Sequence, residues 1–311
     1  NVDVSGENVL TLTGGTLNRV ISTTGQGKVV IDGHVSTAAS NLLTDVSVNA
    51  EKTLTLSGGA LNTNITGAGL VEIDGMVEIA NNKTVNTNIE INTDKSLTAS
   101  INSIGGAVIN NGLLTLTDGG TLSGVISGSG NIVAKANVDK ITTSADYLQN
   151  PLQLQSSATK VVLTDGTLNN KINGGSIVVA GNVKSHANNI GADVSNNGTF
   201  VLTGGTLTHH INGAGDFEID SGTLTTSADL LQMSKITNNG VLDVTGGILN
   251  QDIDGGKTII ANGAGISSKN IGDLELHGNM YVGNNTITAA NTTINGTINM
   301  DIEKISANSN E

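Results

Sequence analysis

Cysteine and tryptophan are absent from this 311-residue chain, and proline occurs once, at Pro151. Without cysteine there is no disulfide framework, no thiolate-ligated zinc and no redox motif. Aromatic residues number four: Tyr147, Phe200, Phe217 and Tyr281. A globular core of ordinary shape fills its irregular interior with large aromatic side chains. A sequence that forgoes them needs a narrow, regular interior that aliphatic side chains fill by stacking. Basic charge is scarce too, with Arg19 the single arginine and a formal net charge of −13. That balance excludes nucleic acid as a partner, which requires basic stripes to displace phosphate counterions, and disfavours anionic membrane surfaces. No apolar run reaches the length of a membrane span, so no membrane insertion by this segment is expected.

What the protein has in abundance is Gly, Asn, Thr, Ser, Leu, Ile and Val, and it has them periodically. Residues 11–33 read TLTGGTLNRVISTTGQGKVVIDG, and residues 201–220 read VLTGGTLTHHINGAGDFEID. Four further segments align with these: 55–75, 115–136, 162–181 and 242–263. Each has a Leu-rich strand, a Gly-containing turn, an anchoring leucine with isoleucine four residues later, a second Gly-rich turn and a Val/Ile strand. The anchoring leucines are Leu17, Leu61, Leu122, Leu168, Leu207 and Leu249, each followed at +4 by Ile21, Ile65, Ile126, Ile172, Ile211 or Ile253. Asn-Asn-Gly stands just before a strand at 110–112, 196–198 and 238–240. Asn and Gly tolerate left-handed backbone, which marks these as turns.

The leucines are 44, 61, 46, 39 and 42 residues apart. A period near 40 with several short strands fits a parallel β-solenoid with two coils per unit, a six-bladed propeller or a β-sandwich array. The 61-residue interval favours the solenoid. Its surplus is about one coil, falls within 81–106, and itself alternates like strands. A solenoid gains a coil readily because each coil touches only its neighbours. The expected fold is therefore all-β, a right-handed parallel β-helix of about six two-coil units in a single domain, 1–311. Units begin near residues 8, 52, 112, 160, 198 and 240, with C-terminal strands over 283–305. No stretch sustains helical periodicity.

Alignment of the copies strips most apparent chemistry from 201–220. His209 and His210 occupy a slot held elsewhere by Arg19/Val20, Thr63/Asn64 and Asn170/Lys171, which reads as a solvent-facing loop. Adjacent strand residues also point to opposite faces, so the imidazoles are not expected to share a metal. Gly213-Ala214-Gly215 recurs as a turn leading into a strand, whereas a phosphate loop leads into a helix. Asp216, Glu218 and Asp220 alternate and form a possible acidic surface patch, with no catalytic, cofactor-binding or metal residue assigned. No cofactor is expected, calcium being the one cation such acids suit weakly. A polysaccharide-cleaving β-helix enzyme is the least favoured reading, since one arginine and few aromatics are poor equipment for acidic sugars.

The Asn-Asn-Gly followed by TFVLTGGTL (199–207), with the cysteine-free, acidic, Gly/Asn/Thr-rich composition, resembles passenger domains of bacterial autotransporters and related large repeat surface adhesins. The resemblance covers nearly the whole sequence and is architectural. It implies a secreted or surface location after removal of a targeting sequence, and a non-enzymatic role in adhesion or self-association with copies of itself or a host or neighbour cell surface. Membrane-anchoring barrel strands are not evident here, so a segment of such a protein is expected. Both ends also begin and finish within strand pattern, which suggests either continuation of the polypeptide or end-to-end stacking. The alternative function is accordingly a subunit of an extracellular filament.

Overall fold

A computed structural model describes residues 1–267, 270–278, 281–282 and 287–295. Among these residues the regular elements are β-strands and single 3-10 turns, with no α-helix. The described strand pairings are parallel, and each joins residues one coil apart: Val241 pairs with Lys257, and Ile126 with Leu148. The architecture is a β-solenoid. Contacts group the protein into two compact units, Asn1–Val161 with Ile172–Gly175, and Val162–Lys171 with Ser176–Glu311. Of the strands expected over 283–305, Thr288–Asn295 is formed and pairs with Asn270–His277, while 283–286 and 296–305 lie outside the described residues.

In the first unit, parallel in-register pairing places like positions directly above one another. Val29, Val46, Ile65 and Val85 form one inward column, and Leu54, Val71, Ile89 and Val108 another, all at most 1% exposed. Strand spacing of about 4.8 Å leaves room for one aliphatic side chain per coil in each column. This is why the protein does without large aromatics. Each such burial contributes about 1.5–3 kcal/mol. The surplus of the 61-residue interval is one whole coil. Val85–Ile91 pairs with Ile65–Ile73 on one side and Val108–Asn110 on the other, and Ser96–Ala99 lies between Met76–Ile79 and Leu113–Leu116.

The second unit repeats the construction. Its anchoring leucines Leu168, Leu207 and Leu249 and their partners Ile172, Ile211 and Ile253 are buried, although Ile172 belongs by its contacts to the first unit. The leucine carbonyl is itself an attachment point. Ser185 Oγ donates to Leu168 O at 3.2 Å and Thr226 Oγ1 to Leu207 O at 3.4 Å, as Thr37 Oγ1 does to Leu17 O at 2.9 Å in the first unit. After each of these buried hydroxyls the backbone makes a 3-10 turn opening on a buried alanine: Ala39, Ala187 or Ala228. The equivalent turn at Ile101–Ser103 opens on a buried isoleucine instead.

The Asn-Asn-Gly segments are bends with a specific use for their first asparagine. Asn110, Asn196 and Asn238 are at most 1% exposed. Their Nδ2 groups donate to the next coil, to Asn131 O at 3.0 Å, Asp216 O at 2.8 Å and Lys257 O at 3.0 Å. In two of the bends the Oδ1 accepts from the bend's own glycine, Gly198 N at 3.2 Å and Gly240 N at 3.1 Å. The glycine is obligatory at Gly198, where a Cβ would lie 2.3 Å from Gly181 O. Removing a buried hydrogen-bonding side chain strands its partners, so Asn196→Ala should cost about 1–3 kcal/mol. The exposed neighbour offers a control: Asn197→Ala should stay within about 0.5 kcal/mol. Urea denaturation with amide exchange over 194–219 checks both, and equal effects would contradict the stitching role.

Candidate surface site

Within the second unit, the strand Asp216–Ile219 alternates outward and inward. Phe217 packs inward against Phe200 directly beside it, ring centroids 6.1 Å apart and planes tilted by 51°. Asp216 is exposed, while Glu218 and Asp220 are half-buried. With Thr199, Gly215, Lys235 and Thr237, Asp216 and Glu218 line a shallow groove of about 310 Å³. Gly215 lets the backbone pack closely on the preceding coil, since a Cβ there would meet Gly198 O at 2.2 Å.

The three acids share a face but not a target. Glu218 Oε1 accepts from Asn239 Nδ2 at 2.7 Å in the coil ahead. Asp220 Oδ2 accepts from Lys184 Nζ at 2.7 Å, two coils back. Lys235, the cation within the groove, is bound to Asp254 Oδ2 at 3.0 Å. Acid–base catalysis needs groups converging on one reacting atom. Here Glu218, Asp220 and Lys235 are directed to different coils, and such solvent-exposed ion pairs contribute only about 0–1 kcal/mol. Among the described residues, no group of three or more His, Asp or Glu side chains is arranged to hold a metal ion.

His209 Nδ1 lies 3.1 Å from Thr208 Oγ1, and His210 Nδ1 lies 3.4 Å from Asp193 Oδ1. The histidines thus have separate partners. Their slot has more structure than a free loop, however. His210 N donates to Asp193 Oδ1 at 3.0 Å, Asn64 N to Asp45 Oδ1 at 2.9 Å, and Asn270 N to Asp252 Oδ1 at 3.1 Å. A carboxylate in one coil holds the backbone N–H that opens the strand of the next. The side chain at the receiving position is free to vary because the bond is made to its backbone. Sequence comparison therefore sees variability and misses the ladder; the signal available was the acid about 17–19 residues earlier, as at Asp45, Asp193 and Asp252.

Two of these coil-to-coil carboxylates have displaced acidities. Burial, the largest single influence on Asp45, pushes its carboxyl up. The backbone and side-chain donors of Asn64, the Thr63 hydroxyl and the nearby Lys83 charge together outweigh it and hold the group below its ordinary value. Glu275 is held low chiefly by the Lys257 ammonium bonded to it, then by His277 Nε2 at 2.6 Å, against a smaller upward push from burial. Asn295 Nδ2 also donates to it at 2.8 Å, so Glu275 ties three successive coils.

No family model matches this sequence, and no curated protein or solved structure matches it.

The Glu275 cluster yields a pH expectation. A carboxylate whose acidity is depressed by folding contributes stability that is full above its unfolded pKa and lost as pH falls through the folded one. Protection of the Thr288–Asn295 amides should therefore begin to fall as pH enters the usual carboxylate range and go on falling through the lower folded value of Glu275. Glu275→Gln should remove that acid step. Amide exchange against pH checks it, and an acid step unchanged in the variant would contradict it.

Proposed function

We propose that this protein is a non-enzymatic, structural and adhesive β-solenoid displayed outside the cell by a bacterial surface protein. The observation that carries the reading is where the reactive side chains are spent. Asp45, Asp193, Glu218, Asp220 and Glu275 each hold a group in another coil, adjacent or two removed. Chemistry used in this way builds length and regular faces. The function of such an object lies in its surface, which here is polar, acidic and rich in Asn and Thr. A cysteine-free polypeptide suits export in an unfolded state. The net charge of −13 favours solubility and a partner other than nucleic acid. In this reading the protein takes no cofactor, and its partner is another cell surface or a copy of itself.

Self-association has a specific observation in its favour. Met76 is 80% exposed and Leu113 38% exposed, on the outward side of one column with Ser96 between them. Exposed apolar side chains so aligned on a sheet face suit contact with a like surface. Filament assembly is the stronger form of the same idea.

Cells displaying the protein should adhere to neighbouring cells or matrix more than cells displaying an unrelated domain of equal charge. The double variant Met76→Lys, Leu113→Lys should reduce self-association of the purified protein in sedimentation without altering its fold. Negative-stain electron microscopy separates the forms: fibres support the filament, discrete particles support monomeric display. Adherence no greater than the control, together with depolymerisation of an added acidic glycan, would overturn the reading in favour of an enzyme.

A further inference from the structure

The three Asn-Asn-Gly bends have the same sequence but differ in chemical state. In the bends at Asn197-Gly198 and Asn239-Gly240 the glycine N–H is held by the buried asparagine before it, at 3.2 and 3.1 Å. At Asn111-Gly112 that bond is missing, and Asn110 Oδ1 is buried with no hydrogen-bond partner. The Asn111 side chain also differs. Its Oδ1 accepts two donors from the coil ahead, Ser129 N at 3.3 Å and Ser129 Oγ at 3.4 Å. Asn239 instead has its amide nitrogen held by Glu218 Oε1 at 2.7 Å.

These differences bear on one reaction. The backbone nitrogen of a glycine following asparagine can attack the asparagine Cγ. A bond forms between that nitrogen and Cγ to give a five-membered succinimide, the asparagine Cγ–Nδ2 bond breaks, and ammonia leaves with the proton given up by the glycine nitrogen. Water then opens either carbonyl, giving aspartate or isoaspartate. No oxidant or reductant is required. The nucleophile is weakened when its N–H is engaged as a donor. The electrophile is strengthened when donors face the oxygen on which negative charge develops.

We propose that Asn111-Gly112 is a self-modification site, where the fold leaves the glycine nitrogen unheld and polarises the Asn111 carbonyl through Ser129. At the other two bends the fold protects the same dipeptide. The isoaspartate product inserts a methylene into the backbone between Val108–Asn110 and Leu113–Leu116. That displaces the flanking bonds Asn111 N to Ile91 O and Leu113 N to Lys95 O, both 2.9 Å, and adds a negative charge. A long-lived solenoid would thus loosen at this bend before it loosens at the other two Asn-Asn-Gly bends.

The test incubates the purified protein in mildly alkaline buffer and follows Asn111, Asn197 and Asn239 by peptide mapping with isoaspartate detection. Asn111 should convert about tenfold faster than the other two, the rate equivalent of one neutral hydrogen bond. In denaturant the three should convert alike. Ser129→Ala should slow Asn111 alone. Gly112→Ala is unsuitable, because its Cβ would lie 2.3 Å from Lys95 O and disturb the coil. Equal rates in the folded protein would overturn the proposal, as would a spread that persists in denaturant. An Asn111 rate indifferent to Ser129→Ala would overturn the polarising role of that residue.

Discussion

Parallel in-register stacking, one coil upon the next at about 4.8 Å, is the constraint from which the rest follows. Stacking at that spacing places each side chain beside its counterpart in the coils on either side. Inward columns are then mainly aliphatic and of similar width, as in Val29–Val46–Ile65–Val85, with Phe200 beside Phe217 as an aromatic pair in the second unit. Columns at the bends can be polar only if each member bonds to its neighbour, because an unsatisfied buried group costs about 1–3 kcal/mol. Asn196, Asn238, Thr226 and Ser185 meet that condition by donating to carbonyls one coil away. The same spacing makes a whole coil the natural unit of insertion, as at Val85–Ile91 and Ser96–Ala99.

Much of this was legible in the residues. The leucine with isoleucine at +4, the Gly-rich turns and the missing aromatics pointed to a solenoid, because those features state the repeat and the width of its interior. The roles of individual polar residues were less legible. Asn196 and Asn197 look equivalent in sequence, yet one is buried and bonded and the other exposed. His210 stands in a variable slot whose backbone is nevertheless held by Asp193. In both cases the information lies in a partner one coil away, at a sequence separation that varies with coil length. Local pattern reading cannot see it. The alternation of Asp216, Glu218 and Asp220 did indicate a common face, but not that Glu218 and Asp220 are engaged in opposite directions.

The functional reading follows from that distribution of partners. In the proposed reading, a scaffold that ties its carboxylates and amides into its own ladder acts through its patterned surface. Where the ladder is incomplete, as at Asn110, backbone chemistry is left less guarded. Strength and vulnerability therefore come from the same bonds, and both are properties of neighbouring coils.

In-register stacking can be measured by cross-linking, since the protein has no cysteine of its own. Thr225 and Asp243 are paired across adjacent coils of the second unit, with half-buried side chains on the outward face. The double variant Thr225→Cys, Asp243→Cys should oxidise to a disulfide without loss of fold, because paired strand positions lie within bridging distance. Thr225→Cys with Thr245→Cys, displaced by two residues, should remain reduced under the same conditions. Efficient bridging of the displaced pair with none of the paired one would contradict the register on which this account rests.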